Sequence, residues 1–221
     1  MPDFLDLKDP RDGSLGMPSL ATIEAVRTAA GDAVTFSTAI GDAAYEPELY
    51  AQRAINAALA GADIVKVGLK TVSAEQASWF FAAIRRALNA RAPYTRLVAG
   101  FYADLMDEND LKKLPAAAQS AGVWGCLIDT FDKVGKRLGH YYGPETLAGF
   151  TADCRGRGLK SALAGGLTES DLLWLDEAEP DIVGFRSAVT RGARHESGID
   201  PKKAADIFFA VDQLNGQPTL L

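Results

Sequence analysis

The feature that most constrains the fold is an alternation of strand-like and helix-like segments along the whole chain. Seven apolar runs recur at intervals of about 30 residues, each followed by an amphipathic stretch with helix start and stop signals. The predicted strands are Asp3–Lys8, Val34–Ile40, Asp63–Leu69, Leu97–Tyr102, Trp124–Asp129, Leu159–Ala164 and Asp181–Arg186. The predicted helices are Ser19–Ala30, Pro47–Ala60, Ser73–Ala90, Asp110–Ala121, Pro144–Arg157, Glu169–Glu177 and Pro201–Leu214. Such an alternation indicates parallel strands with right-handed helical crossovers.

The first turn distinguishes a closed barrel from an open nucleotide-binding sheet. An open dinucleotide-binding sheet carries a glycine-rich fingerprint after its first strand, and the turn Lys8–Gly16 lacks it. We therefore predict an α/β fold, a TIM-type (β/α)8 barrel formed by residues 1–221 as a single domain, with only seven units evident. We expect the absent unit to be the first, and its place to be taken by a partner chain or by a rearranged terminus.

Composition and charge exclude several classes of function. The net charge is −6 with scattered Lys and Arg, so no nucleic-acid footprint is present. No apolar run approaches the roughly 18 residues of a membrane span, and the N-terminus has no signal-peptide pattern. Only Cys126 and Cys154 occur, which argues against a disulfide scaffold and predicts a cytoplasmic protein. Two histidines and no Cys-x-x-Cys pair predict that no metal is bound.

Charged residues interrupt three of the apolar strands on the face that should line the barrel. Side chains alternate along a strand, so Asp6 and Lys8 share the interior face of the first run. By the same alternation Lys66 points inward from the third run, and Asp129 ends the fifth on its interior face. Buried charges cost several kcal/mol unless paired, and barrel chemistry occurs at the carboxyl ends of strands. The pattern predicts a lysine-based active site; the alternative is a buried structural ion pair.

Glycines and an arginine after the last two predicted strands indicate a phosphate site. Gly165 and Gly166 follow the sixth run, whereas Gly184, Arg186 and Ser187 end the seventh. If the first unit is absent, these are the seventh and eighth barrel strands, whose loops often bind phosphate through backbone N–H groups. Glycines would let the phosphate approach the backbone, and Arg186 would supply charge. The alternative is a pair of tight turns.

Two further lysines are less clearly placed. Lys160 begins the sixth run, so we expect it towards the bottom of the barrel, and its contact with substrate is left open. Lys133 lies in the loop after the fifth run, from which it can reach the site, although solvated loop lysines are common.

The residues around these positions resemble the (5-formylfuran-3-yl)methyl phosphate synthase family. The matching blocks are Asp6–Pro10, Gly13–Gly16, Ala39–Asp42, Gly61–Leu69, Gly100–Asp104, Leu127–Thr130, Gly158–Gly165 and Asp181–Gly184. The resemblance implies a TIM-type barrel and a carbon–oxygen lyase acting on phosphates. That lyase joins two glyceraldehyde 3-phosphate molecules, with loss of phosphate and water, in the biosynthesis of methanofuran or a methylotroph analogue.

The resemblance also implies roles for individual residues. The Schiff-base lysine of the family falls on Lys8 and its proton-accepting lysine on Lys66, while Asp129 and Lys133 match other residues of the family site. A small phosphosugar would be the substrate, no cofactor is expected, and a homo-oligomer is a candidate state. Two alternatives stay open: a class I Schiff-base aldolase acting on another phosphosugar, and a non-catalytic phosphosugar-binding barrel.

Activity is expected to survive treatment with EDTA, because lysines suffice as electrophile and base and no His/Cys cluster is present. The measurement is product formation from glyceraldehyde 3-phosphate before and after dialysis against EDTA. A loss of activity that is restored by a divalent cation would contradict this expectation.

Overall fold

A computed structural model describes residues 3–70, 73–132, 135–192, 198–213 and 219–220. At its centre eight parallel strands follow one another in chain order. The strands are β1 (Phe4–Leu7), β2 (Thr35–Ala43), β3 (Ile64–Leu69), β4 (Arg96–Tyr102), β5 (Gly125–Asp129), β6 (Lys160–Leu163), β7 (Ile182–Val183) and β8 (Thr219–Leu220). Sequential parallel strands joined by helices are the TIM-type architecture that the alternation predicts.

Helices connect the strands and cover the outside of the sheet. They are α1 (Leu20–Ala30), α2 (Pro47–Leu59), α3 (Ala74–Arg91), α4 (Glu108–Leu111), α5 (Leu114–Ser120), α6 (Pro144–Gly156), α7 (Leu172–Ala178) and α8 (Pro201–Asp212). The predicted helix Asp110–Ala121 is divided into α4 and α5, and Pro115 lies in the first turn of α5, where its missing N–H costs little. Within the described ranges, no helix has the length and apolarity required to traverse a bilayer.

Apolar side chains separate into two clusters on opposite faces of the sheet. The outer cluster lies between strands and helices; there Phe81 of α3 packs edge-on against Phe101 of β4 at 5.7 Å between ring centres. The inner cluster joins interior-facing residues of β2 to β7, such as Ile64 and Leu127. Leu15 belongs to the inner cluster although it comes from the loop after β1. The interior and helix-facing sides of the strands are therefore those that the alternation of side chains predicts.

The carboxyl-terminal part of the sheet differs from the prediction. The predicted strand Asp181–Arg186 is reduced to β7, because the backbone leaves the extended conformation by Arg186 (φ −130°, ψ −62°). The strand β8 was not predicted, since two residues are too short for a periodic signal, and it pairs in parallel with β7. The eighth strand position beside β7 is occupied by the carboxyl-terminal residues Thr219–Leu220, which agrees with the expected rearranged terminus. Within the described ranges, no ladder of hydrogen bonds joins β8 to β1.

Removal of residues 214–221 is expected to lower the thermal unfolding midpoint by about 2–6 °C, because the edge of β7 loses roughly 1–2 kcal/mol of ladder hydrogen bonds. Differential scanning calorimetry of the truncated and full chains measures this. A control that lacks Leu221 alone should unfold with the full chain. Identical midpoints for all three proteins would show that β8 does not contribute to stability.

Candidate active site

An ion pair joins β1 and β3 inside the barrel. The Nζ atom of Lys66 lies 2.5 Å from Oδ1 of Asp6, and the Lys66 side chain is only 3% exposed. Ser37 of the intervening strand β2 donates its hydroxyl to the same Asp6 oxygen at 2.6 Å. The carboxylate thus compensates the buried ammonium, and the serine fixes the carboxylate.

A second lysine–aspartate pair lies at the carboxyl ends of β1 and β5. The Nζ atom of Lys8 is 3.5 Å from Oδ2 of Asp129, with the Lys8 side chain 14% exposed and that of Asp129 2% exposed. The other Asp129 oxygen accepts the N–H of Thr130 at 2.7 Å. The Ser14 hydroxyl donates to the Thr130 carbonyl at 3.0 Å and lies 3.5 Å from Oδ2 of Asp129. Asp129 is therefore held from two sides while Lys8 keeps an accessible amine.

Both pairs border a cavity of about 820 Å³ at the carboxyl ends of the strands. Every predicted site residue within the described part of the chain lines it: Asp6, Lys8, Lys66, Asp129, Gly165, Gly166, Gly184, Arg186 and Ser187. Lys133 falls outside the described residues. An apolar extension of the cavity passes beside β1 and reaches Ile207 and Phe208 of α8. The polar end offers amines, carboxylates and a guanidinium around one space, which suits an anionic, carbonyl-bearing substrate.

The predicted phosphate residues line the same cavity as the two lysines. Gly165 and Gly166 have φ values of +111° and +69°, a backbone that glycine adopts readily, and the Gly165 carbonyl accepts the Leu138 N–H at 2.9 Å. Arg137 also lines the cavity; its guanidinium donates to the Thr168 hydroxyl at 2.7 Å. Two guanidinium groups, of Arg137 and Arg186, therefore face the cavity near the paired glycines.

Two aspartates near the cavity have lowered pKa values. Arg11 donates to Asp9, directly after Lys8, and holds its pKa at about 2, with a smaller contribution from the charge of Arg186. Burial opposes ionisation of Asp171, but hydrogen bonds from Thr168 and Trp174, together with the charge of Arg137, lower its pKa. Both carboxylates thus stay ionised at neutral pH, and Asp171 holds the Arg137 guanidinium through a contact of 3.2 Å.

Lys160 lies at the other end of the barrel. Its Nζ atom pairs with Oδ1 of Asp181 at 2.7 Å, its side chain is 51% exposed, and it is absent from the cavity lining. Burial raises the pKa of Asp181, but the hydrogen bonds from Lys160 and Ser161 outweigh it and lower the pKa overall. Lys160 thus forms an ion pair at the amino end of β6, as its place at the start of the strand predicts.

Sequence reasoning missed several residues that shape the site. Ser14 and Asp42 lie in blocks that matched the family. Alternation could not have found Asp42, because counting from Ala39 directs it outward to the helices. Arg137 gave no signal, because it stands in a loop whose path depends on the rest of the fold. Among the residues that the structure describes, no group of three or more His, Cys, Asp or Glu side chains is arranged to hold a metal.

Comparison with known proteins decides the family. The model of the family described as 4-HFC-P synthase matches residues 1–208. A Methanosarcina mazei protein named (5-formylfuran-3-yl)methyl phosphate synthase is 36% identical over 198 residues, which is 88% of this chain and 85% of the relative. A Methanocaldococcus jannaschii protein of the same name is 34% identical over 199 residues, or 89% and 85%. This chain belongs to the (5-formylfuran-3-yl)methyl phosphate synthase family.

The synthase family name makes the chain a member of an enzyme family, and solved structures agree with its fold. Deoxyribose phosphate aldolase from Aeropyrum pernix superposes with a TM-score of 0.60 at 19% identity, over 77% of this chain and 70% of the aldolase. A protein titled "QR15, an Aldolase" gives a TM-score of 0.60 at 16% identity, over 83% and 88%. At these identities the likeness concerns the TIM-type barrel alone.

Replacing Asp6 with Asn is expected to destabilise the synthase by about 2–4 kcal/mol, because the buried Lys66 ammonium loses its counter-charge. Chemical denaturation of the wild type and variant measures the free energy of unfolding. The double variant Asp6→Asn, Lys66→Met should recover most of the loss, since no charge is then left unpaired. The control Asp181→Asn, at the half-exposed pair with Lys160, should cost less than about 1 kcal/mol. Equal losses at both sites would contradict this account of the interior pair.

Proposed function

We propose that this synthase condenses two molecules of glyceraldehyde 3-phosphate into (5-formylfuran-3-yl)methyl phosphate, with release of one phosphate and two waters. The proposal rests on the position of Lys8, which follows β1, lies beside Asp129 and lines a cavity that Lys66 and Arg186 also line. No electron acceptor is required, because condensation, dehydration and phosphate loss are redox-balanced overall.

Lys8 acts as the nucleophile in this proposal. Its neutral amine attacks the aldehyde carbon of one triose phosphate, and loss of water leaves an iminium ion that withdraws electrons from the neighbouring carbon. The Asp129 carboxylate, 3.5 Å from the Lys8 nitrogen, accepts the ammonium proton and passes it to the carbinolamine hydroxyl, which leaves as water. Ionised again, Asp129 then stabilises the iminium charge. The Lys8 side chain is 14% exposed and that of Lys66 is 3% exposed, so Lys8 is the more accessible of the two lysines.

Lys66 moves protons during the enolisation and elimination steps. The contact of 2.5 Å with Asp6 holds the Lys66 nitrogen in both protonation states. The ammonium can give its proton to a leaving oxygen in an elimination, and the resulting amine takes a proton back from carbon in an enolisation, so the pair returns to its starting state. Its position in the lining of the cavity that holds Lys8 gives both lysines access to one substrate.

The phosphate groups are held by the paired glycines and the arginines of the cavity lining. Backbone N–H groups at Gly165-Gly166 and the guanidinium of Arg186 supply hydrogen bonds and charge, with Gly184 and Ser187 beside them. Arg137 adds a further cation to the same lining. Lys133, by its match to the family site, is assigned here as an additional polar group.

The proposal extends to pathway, location and assembly. The product would serve the biosynthesis of methanofuran or a methylotroph analogue, in the cytoplasm. Both cysteines, Cys126 and Cys154, are buried free thiols, in keeping with a reducing compartment. A homo-oligomer is proposed as well, to be tested by light scattering.

Incubation with glyceraldehyde 3-phosphate and sodium borohydride is expected to attach one reduced triose to Lys8, because borohydride reduces the iminium to a stable amine. Peptide mass spectrometry identifies the labelled lysine. Lys8→Arg should abolish the label and lower product formation by about 1,000-fold or more, whereas the control Lys160→Arg should keep both.

The labelling pattern separates the alternatives. A label on Lys66 or Lys160 with Lys8 unmodified would overturn the assignment. A label on Lys8 with a non-furan product would indicate a class I aldolase for another phosphosugar. No label and no product would leave a phosphosugar-binding barrel.

A further inference from the structure

A bulge in β2 turns an aspartate towards the barrel interior. Ala39 pairs with Lys66 and Asp42 with Gly68, so β2 advances three residues where β3 advances two. Gly41, at φ +120°, lies in this irregular segment. Without the extra residue, strict alternation from the interior residue Ala39 would direct Asp42 outward to the helices. The bulge therefore puts a second carboxylate near the carboxyl ends of the strands.

Asp42 binds groups from two other parts of the barrel. Its Oδ1 atom accepts a hydrogen bond from the Tyr102 hydroxyl of β4, and its carboxylate accepts the Leu15 N–H at 3.1 and 3.3 Å. Gly68 of the intervening strand leaves room for this contact, since a Cβ atom there would overlap the Tyr102 hydroxyl. Burial, followed by the charge of Asp42, raises the pKa of Tyr102, so the phenol stays protonated and donates.

Asp42 binds the loop that follows Lys8. Its ends are joined by the Asp9 N–H, which donates to the Gly16 carbonyl at 2.9 Å. Leu15 is fully buried in the inner cluster together with Tyr102. The adjacent Ser14 reaches β5, where its hydroxyl lies 3.0 Å from the Thr130 carbonyl and 3.5 Å from Asp129.

We infer that Asp42 is a positioning residue of the active site: with Tyr102 it holds the loop Asp9–Gly16 across the strand ends, so that Ser14 keeps Asp129 directed at Lys8. Neither Asp42 nor Tyr102 lines the cavity of the described residues, so both act through the loop. The inference rests on the proposed function for the roles of Lys8 and Asp129.

The expected kinetic signature is a fall in turnover without a matching fall in binding. A shift of about 1 Å between reacting groups can lower the rate about 100-fold. Asp42→Ala should therefore reduce kcat for furan formation from glyceraldehyde 3-phosphate by about 30- to 100-fold. Its KM should stay within about threefold, because the phosphate site at Gly165-Gly166 and Arg186 is untouched.

A protease measurement tests the loop independently of the reaction. Arg11 is exposed within the loop, so trypsin can cleave after it when the loop opens. Asp42→Ala should speed this cleavage about tenfold or more, since the loop loses a charge-assisted hydrogen bond at Leu15. Tyr102→Phe, which keeps the ring, should give a smaller change in the same direction in both assays.

Two variants serve as controls. Asp42→Asn retains an acceptor oxygen of the same size and should restore most of the turnover and loop protection. Asp181→Ala removes a carboxylate that accepts three hydrogen bonds at the amino end of β6 and should leave kcat and Arg11 cleavage unchanged. A general loss of stability would not produce this contrast between the two sites.

The outcomes distinguish this inference from the proposed function. If wild-type protein forms no furan and no borohydride adduct, the proposed function fails, and trypsin cleavage alone decides whether Asp42 holds the loop. If wild type is active while Asp42→Ala and Tyr102→Phe both match it in kcat and in cleavage at Arg11, the positioning role is wrong. Should Asp42→Ala fail to fold, Tyr102→Phe carries the comparison, with Asp42→Asn and Asp181→Ala as its controls.

Discussion

The ion pair between Lys66 and Asp6 is the interaction on which the rest of the site depends. An ammonium enclosed by apolar strands would cost several kcal/mol, and the carboxylate from β1 removes most of that cost. The pair therefore couples the first and third strands through Ser37 of the second. The same contact keeps an amine in the lining of the cavity, where the proposed proton transfer requires it. Both the fold and the proposed chemistry therefore depend on Asp6 of β1.

The odd-numbered and even-numbered strands contribute different parts of the site. The lysines and their carboxylates come from β1, β3 and β5, as expected when the residues of one interior layer come from alternate strands. The strands between them, β2 and β4, contribute Asp42 and Tyr102, which contact the loop after β1 rather than the cavity. The Asp9–Gly16 loop then joins both sets of strands, since it contacts Asp42 through Leu15 and Asp129 through Ser14.

Position along the strand distinguishes the two lysines that line the cavity from Lys160. Lys8 directly follows β1 and Lys66 lies in the middle of β3, and both line the cavity, whereas Lys160 begins β6 and pairs with Asp181 at the amino end. All three residues have an aspartate within 3.5 Å, so an acidic partner alone does not identify an active-site lysine. What distinguishes the lysines is whether the side chain lines the cavity or lies at the amino ends of the strands, because the loops that form the site follow the carboxyl ends.

The sequence by itself determined the repeating β/α units, the interior face of each strand and the set of charged residues on it, because these follow from alternation within a few residues. It also carried the family resemblance. The tertiary structure alone decided which carboxylate meets which lysine, the bulge that turns Asp42 inward, and the short β8 beside β7. These features depend on strand register and on contacts between residues as far apart as the 115 positions that separate Ser14 from Asp129. No local pattern encodes such distances, since they arise only when the sheet has curled and packed.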